Sequence, residues 1–252
     1  MAYVNPDPQN PVVLNVAVST PLSPVDLERR FCKVSAGDTT LTTGAIQGIT
    51  ADEIATIFTG SYQTKETYLW LVNFFANNAN GTAFVLEVGA VAGGDPGTNI
   101  ATLATHITAG IDVCGHYSVP DSFYGDADFA ALVTTYSTDD PVYKFSCHIT
   151  HGTAPADQTA FAALKDKSAW YPVYPSAVAT ENACGAHVGI MASSIYDVSP
   201  TNPMTPLQYK QIVGVTVEKF ASSFRTALTN AAVNFVVRVP IVTGKQIGRA
   251  HV

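Results

Sequence analysis

The 252-residue chain is 47% hydrophobic and 13% charged, so it has ample apolar material for a core but about half the charged share of a typical soluble protein. This composition excludes a disordered chain, and the net charge of −7 without any Lys/Arg cluster argues against nucleic-acid binding. A charge-poor exterior indicates a surface covered by other subunits, since interface cores are depleted of charged residues.

The sequence shows no sign of membrane insertion or export. No apolar run approaches the roughly 20 residues that span a bilayer, and the first residues lack the basic stretch and apolar core of a signal peptide. We therefore expect free thiols, kept reduced in a cytoplasm, at all four cysteines: Cys32, Cys114, Cys147 and Cys184.

Residues 1–49 are predicted to form an N-terminal arm and a peripheral segment. Residues 1–10 are rich in Pro and Asn, a strand is predicted at 12–18, and 35–50 is predicted to be loop or edge strand. The apolar residues of the arm strand are Val12, Val13, Leu14, Val16 and Val18.

From residue 50 onward, helical and strand patterns alternate. Thr50 and Glu53 fit a capping box, Gly60 can end that helix in a left-handed conformation, and a longer helix is predicted over 65–78. One face of the longer helix is expected to carry Tyr68, Leu71, Val72 and Phe75. The later predicted elements are strand 83–88, helix 99–109, strand 113–119, helix 126–136, strand 142–149, helix 155–166, strand 169–174, helix 181–194, helix 218–230 and strand 233–239.

Strands that alternate with helices of about 10–14 residues indicate βαβ units. The predicted fold class is therefore α/β, with a mixed, largely parallel sheet covered by helices on both faces. We assign this core to residues 50–245, after the extended arm. Its packing is expected to come from Tyr68, Leu71, Phe75, Phe84, Leu86 and Phe145.

The Gly-rich loop at 89–97 lies between a predicted strand and a predicted helix, where phosphate-binding loops occur. Such a loop needs a Lys followed by Ser or Thr, but Asp95-Pro96 stands there and adds negative charge while removing an N–H donor. The dinucleotide pattern GxGxxG is absent as well. A surface turn is the interpretation that fits.

Cysteines and histidines occur close together near several predicted strand or helix ends. Convergence on zinc is conceivable, yet none of these positions matches a paired Cys-x2-Cys knuckle, and an isolated cysteine behaves as a small hydrophobe. His116 with Asp112 or Asp121 could form a catalytic dyad, although no Gly-x-Ser-x-Gly elbow is present. We therefore predict no catalytic, cofactor-binding or metal-binding residues, and no cofactor.

An aromatic–proline run, Trp170 to Pro175, could stack on a sugar or base or act as a partner hot spot. We favour a strand end whose Trp170 ring packs on the core. With the Ala/Gly-rich segment 185–193, the Pro-rich loop 199–206 and the stretch 211–215 that follow it, this run resembles contractile phage tail sheath proteins.

Earlier segments resemble that family too. Asn73–Asn77 and the strand Ala83–Val88 match the helix and strand before the sheath core, and Val119-Pro120-Asp121 matches its strand-ending proline. The resemblance covers about residues 12–243 and lies in the order and texture of the segments rather than in an invariant signature.

The resemblance implies a subunit that polymerises as rings or a helical tube around a tail tube protein and contracts during genome delivery. Copies would be joined by arms that add strands to neighbouring sheets, and the protein would reside in the virion tail after assembly in the host bacterial cytoplasm. Nucleic acid and membrane are not expected as partners.

The end of the chain departs from the family pattern. Sheath proteins continue into a C-terminal subdomain and closing arm, whereas this chain stops soon after the predicted strand 233–239. Residues 246–252 resemble a translated sequencing adapter, so we expect a non-native tail on a C-terminally truncated fragment.

Two other functions compete with the sheath interpretation. One is an α/β hydrolytic or metal-dependent enzyme that uses His116, His148 or His187. The other is a different virion tail component, although tail tubes are mostly β and the alternating helices argue against one.

Overall fold

A computed structural model describes residues 30–138, 143–152, 164–165, 167–193 and 212–237. Outside these residues lie the predicted arm strand 12–18, most of the predicted helix 155–166, the Pro-rich loop 199–206 and the tail 246–252.

The described residues form an α/β fold, as the sequence predicts. Its strands are β1 (Phe31–Ser35), β2 (Ile46–Ile49), β3 (Ala83–Glu87), β4 (His116–Ser118), β5 (Lys144–His148) and β6 (Trp170–Val173). Its α-helices are α1 (Ile54–Ile57), α2 (Glu66–Asn77), α3 (Gly97–Ala109), α4 (Ala127–Thr138), α5 (Ala183–Ser193) and α6 (Ser222–Asn230), with 3-10 turns at Gly60–Thr64 and Asp121–Phe123.

The strands form one sheet in the order β2-β3-β1-β4-β5-β6, in which β2 alone is antiparallel to its neighbour. This order corrects the predicted boundary at residue 50, because β1 lies between β3 and β4 in the middle of the sheet. Strand β1 was not predicted because Lys33 and Ser35 interrupt its apolar pattern. All five residues of the strand are nevertheless buried. The edge strand predicted within 35–50 is confirmed as β2.

The two faces of the sheet differ in chemistry. One face packs against α3 and α4 through apolar side chains, among them Leu86, Tyr117 and Phe145. The other face packs against α2 and α5 and mixes apolar residues with buried polar ones, such as Lys33 and His148. Helices on both faces remove both sides of the sheet from water, so every polar residue of the second face needs a partner inside the protein.

Most of the predicted core residues are confirmed, but the buried face of α2 differs from the predicted one. Leu71, Phe75, Leu86 and Phe145 are buried, and Tyr68 and Phe84 are partly buried against the core clusters. In α2 the buried apolar positions are Trp70, Leu71, Phe74 and Phe75, so the prediction of Val72 on that face is wrong; Val72 is 38% exposed.

Several element boundaries move. Gly60 has the predicted left-handed conformation, with φ +58°, but α1 ends at Ile57. Helix α6 begins at Ser222 rather than at residue 218, and in the predicted strand 233–239 the described residues pair with the sheet only at a bridge between Asn234 and Val173. No helix in the described part of the chain is long and apolar enough to cross a membrane.

Helices α2 and α5 approach each other so closely that their contact leaves no room for a side chain. A Cβ atom added at Gly185 would lie 2.4 Å from the carbonyl oxygen of Trp70, and one at Gly189 would lie 2.3 Å from the carbonyl oxygen of Phe74. Gly185 and Gly189 are one helical turn apart on the same face. The Ala/Gly-rich composition of α5 is therefore a packing requirement.

We predict that Gly185→Ala and Gly189→Ala each lower the free energy of unfolding by about 2 kcal/mol or more, because backbone atoms cannot yield as side chains do. Urea titration followed by circular dichroism measures the change. The matched control is Gly48→Ala in β2, where the nearest atoms to the new Cβ are side-chain atoms at 3.4 Å. Equal stabilities of all three variants would contradict the close contact.

Candidate functional site

The candidate site lies at the carboxyl ends of β1, β4 and β5, beneath α2 and α5. In doubly wound sheets, ligands bind outside the carboxyl ends of the strands, where the connections of two adjacent strands run in opposite directions. That point falls between β1 and β4. After β1 the chain forms β2 and β3 on one side of β1, and it then crosses to the other side of β1 to form β4, β5 and β6. A polar network lies in this crevice. Lys33, Ser118, Ser146, His148 and Cys184 are buried, Glu66 is 28% exposed, and Asp121, with 52% of its side chain exposed, lies at the rim.

The Lys33 ammonium group lies at the centre of the sheet with 1% of its side chain exposed. Its Nζ atom forms an ion pair with Glu66 and donates a hydrogen bond to the carbonyl oxygen of Val119 at 3.3 Å. Burial alone lowers the pKa of Lys33, but the carboxylates of Glu66 and Asp121 raise it by more, so its pKa lies above the usual value. Lys33 therefore remains charged and is held by the chain's own acids.

His148 connects the loop after β4 to the start of α5. Its Nδ1 atom lies 3.1 Å from Oδ1 of Asp121, and its Nε2 atom accepts the backbone N–H of Cys184 at 2.9 Å. Because Nε2 accepts a hydrogen bond, the neutral ring carries its proton on Nδ1 and donates it to Asp121. Burial raises the pKa of Asp121, but His148 and Lys33 lower it by more, so the carboxyl group stays ionised.

Two serines and a thiol continue the network across the sheet. Ser146 Oγ lies 2.8 Å from Ser118 Oγ, 2.8 Å from His116 Nε2 and 3.2 Å from Cys184 Sγ. Both serines are fully buried, and His116 is 2% exposed. Each hydroxyl is thus engaged inside the protein and inaccessible to an external substrate.

The Cys184 thiol is not activated as a nucleophile. Burial raises its pKa to about 11, so the group stays protonated near neutral pH, whereas nucleophilic attack requires a thiolate. The adjacent imidazole of His148 accepts the backbone N–H of Cys184 instead of the thiol proton. Asp121, His148 and Cys184 therefore have the composition of a catalytic triad. Their hydrogen bonds, however, attach the backbone at the start of α5 to His148 and do not activate the thiol.

Glu87, at the end of β3, is held by donors from the ends of β1 and β3, beside the crevice. Its two carboxylate oxygens accept four hydrogen bonds, from Ser35 Oγ at 2.8 Å, Gly37 N at 2.8 Å, Thr39 Oγ1 at 2.7 Å and Gly89 N at 2.8 Å. Two of these donors are backbone amides of the loops that follow β1 and β3. The chain's own carboxylate therefore occupies these donors.

The three histidines considered for catalysis lie on the same side of the sheet, where His116 and His187 both contact the Tyr171 ring and His148 contacts Asp121 and Cys184. Asp121 pairs with His148, and Asp112 lies 3.5 Å from Arg30, so the dyad of His116 with Asp112 or Asp121 that was considered from the sequence does not form. His187 on α5 lies 3.5 Å from the Tyr171 hydroxyl. Among the described residues, no three His, Cys, Asp or Glu side chains are placed to share a metal ion.

The other sequence features have structural contacts. The loop 89–97 is a turn closed by a bridge between Ala92 and Asp95, whose Oδ1 atom accepts the N–H of Gly97 at 2.9 Å. Trp170 is 8% exposed and packs edge-on against Phe129, which confirms its predicted core position. All four cysteines are free and buried, as predicted.

Sequence reasoning missed Lys33, Glu66, Ser118, Ser146 and Glu87. The available signal was the alternation within the strands, since polar residues occupy every second position in Cys32–Ser35, His116–Ser118 and Lys144–His148. Such alternation normally indicates a solvated face. Here α2 and α5 cover that face, so the same pattern marks a buried polar layer.

No protein-family model matches the sequence, and a search of curated proteins finds no significant relative.

We predict that Glu66→Gln lowers the free energy of unfolding by about 2–3 kcal/mol, because it leaves the Lys33 ammonium buried without its nearest counter-charge. The expected loss is below that of a fully buried pair, since 28% of the Glu66 side chain is exposed. Adding Lys33→Met to this variant should restore most of the stability. A double-mutant cycle by urea titration measures the coupling, and strictly additive effects would contradict it.

We predict that acid weakens the fold through His116 and His187. Burial lowers their pKa values to about 3 and about 4, far below the ordinary 6.5. The unfolded chain therefore takes up protons first, so stability is fullest above pH 6.5 and falls as the pH drops through 6.5 toward 4.

Urea titrations at several pH values between 7 and 5 measure this decline. His187→Gln removes one titrating ring and should make the decline shallower than in the unchanged chain. A stability that is flat over this range, or an equal slope in the variant, would contradict the buried neutral state of these histidines.

Proposed function

We propose that the chain is a structural subunit of a contractile phage tail sheath. Copies polymerise around the tail tube through strand addition by their arms, and the assembly contracts during genome delivery. The partners are further copies of the chain and the tail tube protein, and the location is the virion tail after assembly in the host cytoplasm.

The observation that carries this proposal is that the polar groups at the carboxyl ends of the strands are paired with one another. An α/β enzyme or binding module keeps this crevice open for its ligand. In this chain Lys33 is neutralised by Glu66, His148 is fixed between Asp121 and Cys184, and the Glu87 carboxylate fills its own set of donors. A core in which charged groups satisfy one another suits a subunit that carries load and contacts other proteins.

The sheet also offers an edge for strand addition. Strand β2 is the end of the sheet on one side, so its backbone groups facing away from β3 meet no strand within the described residues. Exposed edge strands are templates for an added strand, in which backbone hydrogen bonds provide the affinity. The predicted arm strand at 12–18 of a neighbouring copy is an occupant of suitable length for this four-residue edge.

The charge content supports the same function. Only 13% of the residues are charged, and a monomer of this size would ordinarily display more charge to stay soluble. Burial of the exterior between copies removes that requirement. The proposal therefore accounts for composition, edge and crevice together.

We predict that Leu14→Pro blocks assembly and leaves the fold of the monomer intact, because proline removes a backbone donor from the arm strand. Analytical ultracentrifugation and negative-stain electron microscopy of the full chain measure assembly, and near-ultraviolet circular dichroism measures folding. The unchanged chain should form large ordered assemblies as its concentration rises.

The matched control is Leu14→Thr, which keeps the backbone N–H and a β-favouring side chain and should assemble. Normal assembly of Leu14→Pro would reject arm-mediated strand addition. An unchanged chain that stays monomeric at every concentration would reject the proposed polymer.

A further inference from the structure

Residues 212–221, here called the strap, follow an extended path outside the sheet and lie across the junction of α2 and α5. Near its start, the strap is held by the side-chain amide of Asn77. Asn77 Nδ2 donates to the carbonyl oxygen of Val213 at 2.9 Å, and Asn77 Oδ1 accepts the N–H of Val213 at 2.9 Å. One side chain thus imitates the pairing that a neighbouring strand would supply.

The middle of the strap is held by Glu181, which lies just before α5. Its carboxylate accepts the Thr216 backbone N–H at 2.5 Å, the Thr216 hydroxyl at 2.7 Å and the Ser176 hydroxyl at 2.6 Å. Burial alone raises the pKa of Glu181, but these hydrogen bonds lower it by more, so the group is ionised at neutral pH. A weaker exposed pair, His151 with Glu218 at 3.1 Å, follows two residues later.

Little apolar surface supports these polar contacts. Val215 is partly buried against the α2–α5 cluster, while Val213 is 49% exposed and Val217 is 38% exposed. Hydrogen bonds to side chains that water also reaches contribute little net free energy, and segments with few buried apolar contacts open locally before the whole protein unfolds.

The far end of the strap is anchored differently. Phe220 packs against Tyr174 at 5.0 Å, Phe224 at 5.5 Å and Phe235 at 5.8 Å between ring centroids. This aromatic group belongs to a cluster separate from the two that line the sheet faces. The strap therefore joins a firmly packed end to a stretch held mainly by Asn77 and Glu181.

We propose that the strap is a latch that detaches from the α2–α5 junction as one unit, pivoting at Phe220, while the α/β core stays folded. The hydrogen bonds of Asn77 and Glu181 hold the strap in the attached position. Release uncovers the part of the α2–α5 face under Val215. This inference does not depend on the proposed function, since the latch is built into the single chain.

Hydrogen exchange measured by mass spectrometry on the full chain tests the latch. In the unchanged protein, the peptide covering 212–221 should exchange faster than peptides from β1 and β4. Glu181→Gln removes the charge and one acceptor, so exchange of the whole strap peptide should rise about tenfold, with no change in α2, α5 or the sheet. Asn77→Ala should raise exchange over the same peptide, including Thr216, because the strap opens as a unit.

The matched control is Asp128→Asn on α4, at the opposite face of the sheet, which should leave strap exchange unchanged. Strap amides that exchange only in step with β1 and β4, in the unchanged chain and in both variants, would overturn the proposal. An effect of Asn77→Ala confined to Val213, or a matching rise in the core peptides, would overturn it as well.

Discussion

A lysine in the central strand of a sheet covered on both faces has to be neutralised inside the protein. Lys33 meets this requirement through Glu66, and the position of Glu66 fixes the first turn of α2 above β1. The second oxygen of Glu66 accepts the N–H of Asp121, which in turn holds His148. One buried charge therefore ties together β1, α2, the end of β4 and β5, and removal of Glu66 would leave the buried Lys33 ammonium group unpaired.

The closeness of α2 and α5 completes this arrangement. Gly185 and Gly189 let the two helices touch along their backbones, which brings the start of α5 down onto His148 and Cys184 onto Ser146. A larger residue at either glycine would lift α5 and open the crevice to water. Close helix packing and the closed polar network are thus one structural feature, and both favour a rigid subunit over a ligand-binding site.

Local patterns in the sequence were sufficient to predict the α/β class, a loop or edge strand within 35–50 and the buried Trp170, because each depends on periodicity or on residue type. They failed for β1, since a strand with Lys33 and Ser35 at alternate positions has the pattern of a solvated one. They also left open whether Asp112 or Asp121 lies beside His116, whereas the structure places Asp121 beside His148. Strand order decides which histidine lies beside Asp121, and no short-range pattern contains that order. The end of the strap was likewise predicted to be the start of helix 218–230. The strap is attached to Asn77, 136 residues away from Val213, and to Glu181, 35 residues away from Thr216, and local patterns do not contain contacts at such separations.

The polar groups of the crevice are held by one another, and the tautomer of His148, which lies between Asp121 and Cys184, reports on these contacts most directly. Nitrogen-15 NMR of the imidazole rings distinguishes the two neutral tautomers. The account predicts that His148 carries a proton on Nδ1 and none on the hydrogen-bonded Nε2, and that this arrangement is unchanged when phosphate or acetate is added. A proton on Nε2, or signals that shift as either anion is titrated, would show an open site and contradict the account.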